Sequence, residues 1–310
     1  MQTTSNILMI RPVAFGLNTQ TADSNAFQDK KASQEAVQEN ALQEFDDFVA
    51  KLRANDIDVT VIEDTANPHT PDSIFPNNWI SFHEDGAVYI YPMQAENRRL
   101  ERRADLIEQL KSNFKINNVY DLSAVEKEGI YLEGTGSMVL DRENKIAYAC
   151  LSIRTQEKAL AQFREESGYT AVKFHAFDQN GFAIYHTNVM MCVGDKFVVV
   201  CLDTVTDEAE KANLLTSFHK TGKKIVEISL DQMNQFAGNM LQLKNRNGKR
   251  FIIMSERAFL SLNDVQKNIL TSFATPLYSS LNTIENNGGG SARCMIAEIH
   301  LPALTDKKID

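Results

Sequence analysis

Apolar and polar positions alternate along this chain in short runs, and the runs come in pairs. Four segments share one order: a small or amide residue, an alternating apolar strand, a polar turn, and a second β-rich strand. They read NNWISFHEDGAVYIYP, TGSMVLDRENKIAYACLS, HTNVMMCVGDKFVVVCLD and AGNMLQLKNRNGKRFIIMS. The turns HEDG, DREN, VGDK and NRNG carry the Asp, Asn and Gly that hairpin turns favour. Val, Ile, Tyr and Phe dominate the flanks, as strands prefer. Four β-hairpins are predicted.

The hairpins recur at a fixed pitch. Ser137 to Asn188, Asn188 to Asn239, and Asn239 to Gly290 are steps of about 51 residues each, while Asn78 to Gly136 is about 58. A fifth copy assembles from both ends of the chain, GGSARCMIAEIHLP with SNILMIRPV. Helical patterns lie between hairpins: residues 34–54, AENRRLERRADLIEQLKSNF, and TDEAEKANLLTSFHKTG, which opens on an Asp and closes on Thr-Gly. Five ββαβ units closed by pairing the termini predict one α/β propeller domain of five-fold pseudosymmetry over residues 1–310. In such a closed array each unit's apolar face is buried by its neighbours and no sheet edge is left open. The polar stretch 15–33 reads either as a lid over a pocket or as a plain surface excursion.

Composition narrows the function classes. The chain is 43% hydrophobic and 24% charged, with a formal net charge of −9. That charge argues against nucleic acid or an anionic membrane as partner. A small-molecule substrate fits, and a homo-oligomer stays open. No apolar run approaches the ~18 to 20 residues of a membrane helix, and the start of the sequence lacks a signal-peptide pattern. Four scattered cysteines, without a CxxC pair, argue against a disulfide framework or a thiolate zinc site and fit a reducing cytoplasm. No cofactor or metal is expected.

If equivalent strands converge at their starts, Asn77, Asn78, Glu133, His186, Asn188, Asn239 and Cys294 meet there. A thiol, an imidazole and a carboxylate so placed could act as nucleophile, proton carrier and orienting group. Cys294 follows the triple glycine of ENNGGGSARCM, which lets backbone approach closely. Cys192 and Cys201 sit inside strand runs and read as core thiols. Glu133, in YLEGTGSMV, is a poor choice for a packed strand unless it serves a site.

LEGTGS, HTN and NGGGSARCM, in that order, resemble the guanidine-modifying, amidinotransferase and arginine deiminase-related superfamily, whose members share a pentein-like α/β propeller. The resemblance covers essentially the whole chain. It implies Cys294 as nucleophile, His186 as general acid/base and Glu133 as the group orienting substrate and catalyst. It also implies Arg154, or Arg98 or Arg99, as partner of the substrate's carboxylate. Where deiminases carry aspartates for a guanidinium cation, this chain has Asn78 and Asn188. An amide pocket favours a neutral group, and the pattern resembles most closely the citrulline-utilisation branch. The expectation is therefore hydrolysis of citrulline to ornithine, ammonia and carbon dioxide through a covalent intermediate on Cys294. The alternatives are arginine deiminase or another amidine hydrolase or amidinotransferase, and, from another class, a non-catalytic ligand-binding propeller. A papain-like enzyme is disfavoured by the order Glu, His, Cys, and a metal enzyme by the absence of HxxH spacing.

Overall fold

The computed structural model describes residues 1–21 and 34–304, and within them lie five sheets of three strands each. Four sheets follow the chain: β3 (Ile80–Phe82), β4 (Ala87–Ile90) and β5 (Asn118–Asp121); β6 (Val139–Asp141), β7 (Ile146–Cys150) and β8 (Thr170–Phe174); β9 (Met191–Val193), β10 (Phe197–Val200) and β11 (Lys224–Glu227); β12 (Leu241–Lys244), β13 (Arg250–Ser255) and β14 (Thr275–Ser279). The fifth joins β15 (Ala297–Ile299) to β1 (Asn6–Arg11) and β2 (Asp58–Glu63), so both ends of the chain share one sheet, as the sequence pattern predicts.

Each sheet pairs its first two strands antiparallel and adds the third parallel. A parallel third strand needs a crossover, and helices supply it. Helix Glu208–Lys220 is one: Asp207 caps it by accepting from the amides of Ala209 and Glu210, both at 2.9 Å. Gly222, at φ +67°, lies just beyond its end. The strand it serves, β10, is wholly buried Phe and Val, because sheet face and helix both cover it.

The helical pattern over residues 95–114 breaks into Glu96–Arg99 and Ala104–Leu110. Between them Glu101 folds back onto Arg98, and Arg102 reaches Glu126, so tertiary ion pairs override local helix propensity. First strands lie side by side in the interior: β15 against β3, β6 against β9, and β9 against β12. None of the helices among the described residues is long and apolar enough to cross a membrane.

Candidate active site

The residues expected at strand starts lie one step earlier, on single helical turns that feed the first strands. Asn77 and Asn78 are on Pro76–Asn78, Glu133 caps Gly134–Ser137, and His186 caps Thr187–Met190, which contains Asn188. Cys294 lies on the turn leading into β15, its amide donating to the Ser291 carbonyl at 2.9 Å. The turn Gly134–Ser137 packs on both of its counterparts, Pro76–Asn78 and Thr187–Met190. Gly136 makes this approach feasible: a Cβ there would lie 2.3 Å from Asn78 Nδ2 and 2.9 Å from His186 Nδ1.

Glu133 and His186 form a buried pair, with Glu133 Oε2 2.7 Å from His186 Nε2. The Gln94 amide donates to Glu133 Oε1 at 3.0 Å, and the Arg154 guanidinium lies 3.6 Å from Oε2. Arg154 also stacks over the Tyr185 ring, 4.8 Å from its centroid. Burial pushes the Glu133 carboxyl up, but the charge of Arg154 and the bond to His186 outweigh it and hold the group at about 2. Burial lowers His186 despite that carboxylate, so the imidazole rests neutral near pH 7. A neutral ring that donates from Nε2 to Glu133 leaves Nδ1 as its proton acceptor.

Two amides converge on the sulfur. Asn188 Nδ2 and Asn239 Nδ2 lie 3.3 and 3.2 Å from Cys294 Sγ. Asn239 is itself fixed, donating to the Asn188 carbonyl at 3.1 Å and accepting from the Arg293 amide at 3.0 Å. Both amides can donate to the sulfur and hold it in place.

Asn78 is oriented by Arg98, whose Nη1 donates to Asn78 Oδ1 at 2.8 Å. A guanidinium cannot accept, so the amide oxygen must face Arg98 and the amide nitrogen must face away. Asn78 Nδ2 and Asn188 Oδ1 are buried without a protein partner among the described residues. Arg98 meanwhile grips Glu101 at 2.8 and 2.9 Å and donates to the backbone carbonyls of Asp72 and Phe75. Its fork is engaged inside the protein, so it acts on Asn78 and not as an unengaged carboxylate clamp. Arg99 is a correction to the sequence reading. It turns to the Met93 and Gln94 carbonyls and to Glu126, outside the cavity, because neighbours on a helical turn point different ways.

Sequence reasoning missed Asp72. It is buried, its Oδ2 accepts from Asn18 Nδ2 at 2.7 Å, and its Oδ1 has no protein partner among the described residues. Burial raises its carboxyl above the ordinary range against the pull of Arg98. An acid beside Ser73 and just before the apolar pair Ile74–Phe75 was the available signal. Of the stretch 15–33, Asn18 and Thr21 pack on Asp72, while residues 22–33 lie outside the described residues.

Asp72, Asn78, Arg98, Arg154, Tyr185, His186, Asn188, Asn239 and Cys294, with Phe75, Phe236 and the triple glycine, line one cavity. Its empty volume is about 410 Å³. Among the described residues no group of three or more His, Cys, Asp or Glu is placed to hold a metal ion.

The sequence profile of eukaryotic N,N dimethylarginine dimethylhydrolase matches residues 11–301. Among solved structures, the product-bound N-terminal domain of ArgZ, an arginine dihydrolase from the ornithine-ammonia cycle in cyanobacteria, is 16% identical. It superposes with a TM-score of 0.74, covering 96% of this chain and 98% of that domain. A cysteine-to-alanine variant of AgrE in complex with L-arginine is 17% identical with a TM-score of 0.73, over 97% of this chain but 41% of its own. Dimethylarginine dimethylhydrolase (DDAH) from Pseudomonas aeruginosa, a cysteine-to-serine variant complexed with citrulline, is 14% identical with a TM-score of 0.65, over 96% and 100% of the two chains. No curated protein matches in sequence. At such identities the structural likeness establishes the fold.

Proposed function

As this chain belongs to the N,N dimethylarginine dimethylhydrolase family, we infer that it hydrolyses citrulline to ornithine, ammonia and carbon dioxide with Cys294 as nucleophile. Membership makes it a hydrolase of carbon–nitrogen bonds in amidino compounds within the amidinotransferase-related superfamily. The finer reading rests on one observation: the cavity carries an unpaired amide donor, Asn78 Nδ2, and an unpaired amide acceptor, Asn188 Oδ1. A ureido group offers one carbonyl to accept and N–H groups to donate. A guanidinium offers donors only and would meet Asn78 donor to donor.

In this mechanism Cys294 gives its proton to His186 Nδ1, and the resulting thiolate, held by Asn188 and Asn239, attacks the ureido carbon. The bond from that carbon to the ornithine nitrogen breaks as His186 delivers a proton to the leaving amine, leaving a carbamoyl group on sulfur. His186 Nδ1 then takes a proton from water, the hydroxide attacks the carbamoyl carbon, and the C–S bond breaks. Carbamate departs and decomposes to ammonia and carbon dioxide. Glu133 stabilises the imidazolium formed in between, and Arg154, which lines the cavity, meets the substrate's carboxylate. We read the five sheets as closing about one axis into a single propeller domain, supported by the shared sheet of β1 and β15. The four free cysteines are in keeping with a reducing cytoplasm.

A guanidino substrate is the second reading, favoured by the unpaired Oδ1 of Asp72 at the cavity. Incubation with citrulline, arginine and dimethylarginine in turn, with Cys294→Ala as control, separates the two. Ornithine from citrulline and a carbamoyl adduct on the Cys294 peptide are expected. Faster turnover of arginine or dimethylarginine would overturn the ureido reading and leave the nucleophile standing.

A further inference from the structure

The first strands run from the candidate active site to a second cavity at the far side of the fold. β3 starts beyond Asn78 and ends just before His83, β6 starts beyond Ser137 and ends just before Arg142, and β15 starts beyond Cys294 and ends just before His300. Three residues of strand span about 10 Å, so the two cavities are separate. The far one, with an empty volume of about 820 Å³, is lined by His83, Tyr89, Arg142, Lys145, Tyr169 and His300, with Glu84 and Asp85 at the rim.

Behind its wall, Arg142 belongs to a buried charge cluster whose other members, Arg293 and Glu298, line a separate cavity. Arg142 and Arg293 are both buried and share one carboxylate, Glu298, at 3.6 and 3.0 Å. His300 Nε2 takes the same carboxylate at 3.2 Å. Two guanidinium groups on one carboxylate leave a buried positive charge in excess, a costly arrangement unless an anion completes it. Arg142 donates from Nη1 to the Phe82 carbonyl at 3.3 Å. The rim acids do not meet the need. Glu84 is exposed and paired with the amino group of Met1, while Asp85 is exposed and accepts from the Ala87 amide. The imidazoles report the same imbalance. Burial and the charge of Arg142 hold His300 down at about 4 and His83 well below its ordinary value.

We propose that this far cavity is a second binding site, taking a small oxyanion, carboxylate or phosphate, on Arg142, with His83, His300 and Lys145 around it. Such an anion would accept from the Arg142 guanidinium and from either imidazole in its protonated form. The nine-tenths burial of Arg142 separates this from a solvated patch of basic side chains.

The test is imidazole NMR on the whole protein, titrated with inorganic phosphate and, separately, with acetate, each against chloride at equal ionic strength. Saturable shifts of the His83 and His300 signals are expected with at least one of the two, and the tighter one identifies the source. Arg142→Gln should weaken binding about tenfold, as loss of one charge-assisted bond does. Because that change also removes a buried cation beside Glu298, His300→Gln and Lys145→Asn serve as milder variants. Lys145 sits at φ +50°, a conformation Asn adopts readily. Responses no different from chloride, or binding that survives both milder variants unweakened, would overturn the assignment.

Discussion

Replacing Asn78 by Asp isolates the argument for a neutral substrate, because it exchanges one buried N–H donor for a carboxylate oxygen and changes little else. The side chain is 3% exposed, and its present oxygen stays tied to Arg98 Nη1 at 2.8 Å. The new oxygen therefore takes the place of Nδ2, facing the cavity. For citrulline the exchange removes a hydrogen bond and sets an acceptor against the ureido oxygen. That costs ~1–3 kcal/mol, or about 5- to 150-fold in kcat/KM.

For arginine the new carboxylate supplies a charge-assisted bond worth ~1.5–3 kcal/mol. Arg98 already draws on that carboxylate, and Asp72 stands close by, so the lower figure, about tenfold, is the better expectation. The ratio of arginine to citrulline kcat/KM should then rise by ~10²- to 10³-fold. Ornithine, citrulline and ammonia are measured from each substrate under single-substrate conditions. Asn78→Ala is the control: it should weaken citrulline turnover without aiding arginine. A folded Asn78→Asp protein whose ratio moves by less than about threefold, under half a factor of ten, would refute the donor–acceptor logic.

Three further outcomes follow from the geometry. Glu133→Gln should lower kcat/KM by ~10²–10⁴, the range of general acid–base catalysis. It should also reduce acid sensitivity. The Glu133 carboxyl falls from 4.5 in the unfolded chain to about 2 when folded, so its stabilisation is complete above 4.5 and lost as pH drops toward 2. Melting temperatures across that window, in wild type and variant, check the sign. Gly136→Ala, with a Cβ 2.3 Å from Asn78 Nδ2 and 2.9 Å from His186 Nδ1, should cost ~1–3 kcal/mol in denaturant unfolding. Its activity should fall by more than ~10-fold, as expected when reacting groups are displaced. Asn239→Ala removes one of two donors to Cys294 Sγ and should slow iodoacetamide alkylation of Cys294 at neutral pH by about three- to tenfold. An unchanged rate would deny Asn239 its part in holding the sulfur.

The repeat was legible because hairpin turns and strand alternation are local, and a constant pitch needs no tertiary knowledge. Register within the repeat then brought Glu133, His186, Asn188 and Cys294 together, since equivalent positions in equivalent units face the same place. What failed had no such register. Asp72 lies in the irregular approach to Pro76, where no period indicates which side chain turns inward. Arg98 and Arg99 are neighbours on one short helical turn, and only the packing of Glu101 and Glu126 decides which is buried. Gly136 looks like any turn glycine until Asn78 and His186, about 58 and 50 residues away in sequence, close on it. The charge cluster around Glu298 was equally hidden, because Arg142 comes from the β6 hairpin while Arg293 and His300 flank β15.

Asn6 pairs with Ile299 across 293 positions of sequence, and this antiparallel register holds β15 in its sheet. Cys294 stands on the turn that feeds β15, so the sulfur has no fixed address until that long-range pairing has formed. A ribosome making this protein completes Glu133 and His186 long before the thiol exists, and the thiol gains a place only after β15 emerges and finds β1. The nascent chain is therefore chemically silent until β15 has been made. Loss of β1 would silence it as well, although none of the proposed catalytic groups lies in that strand.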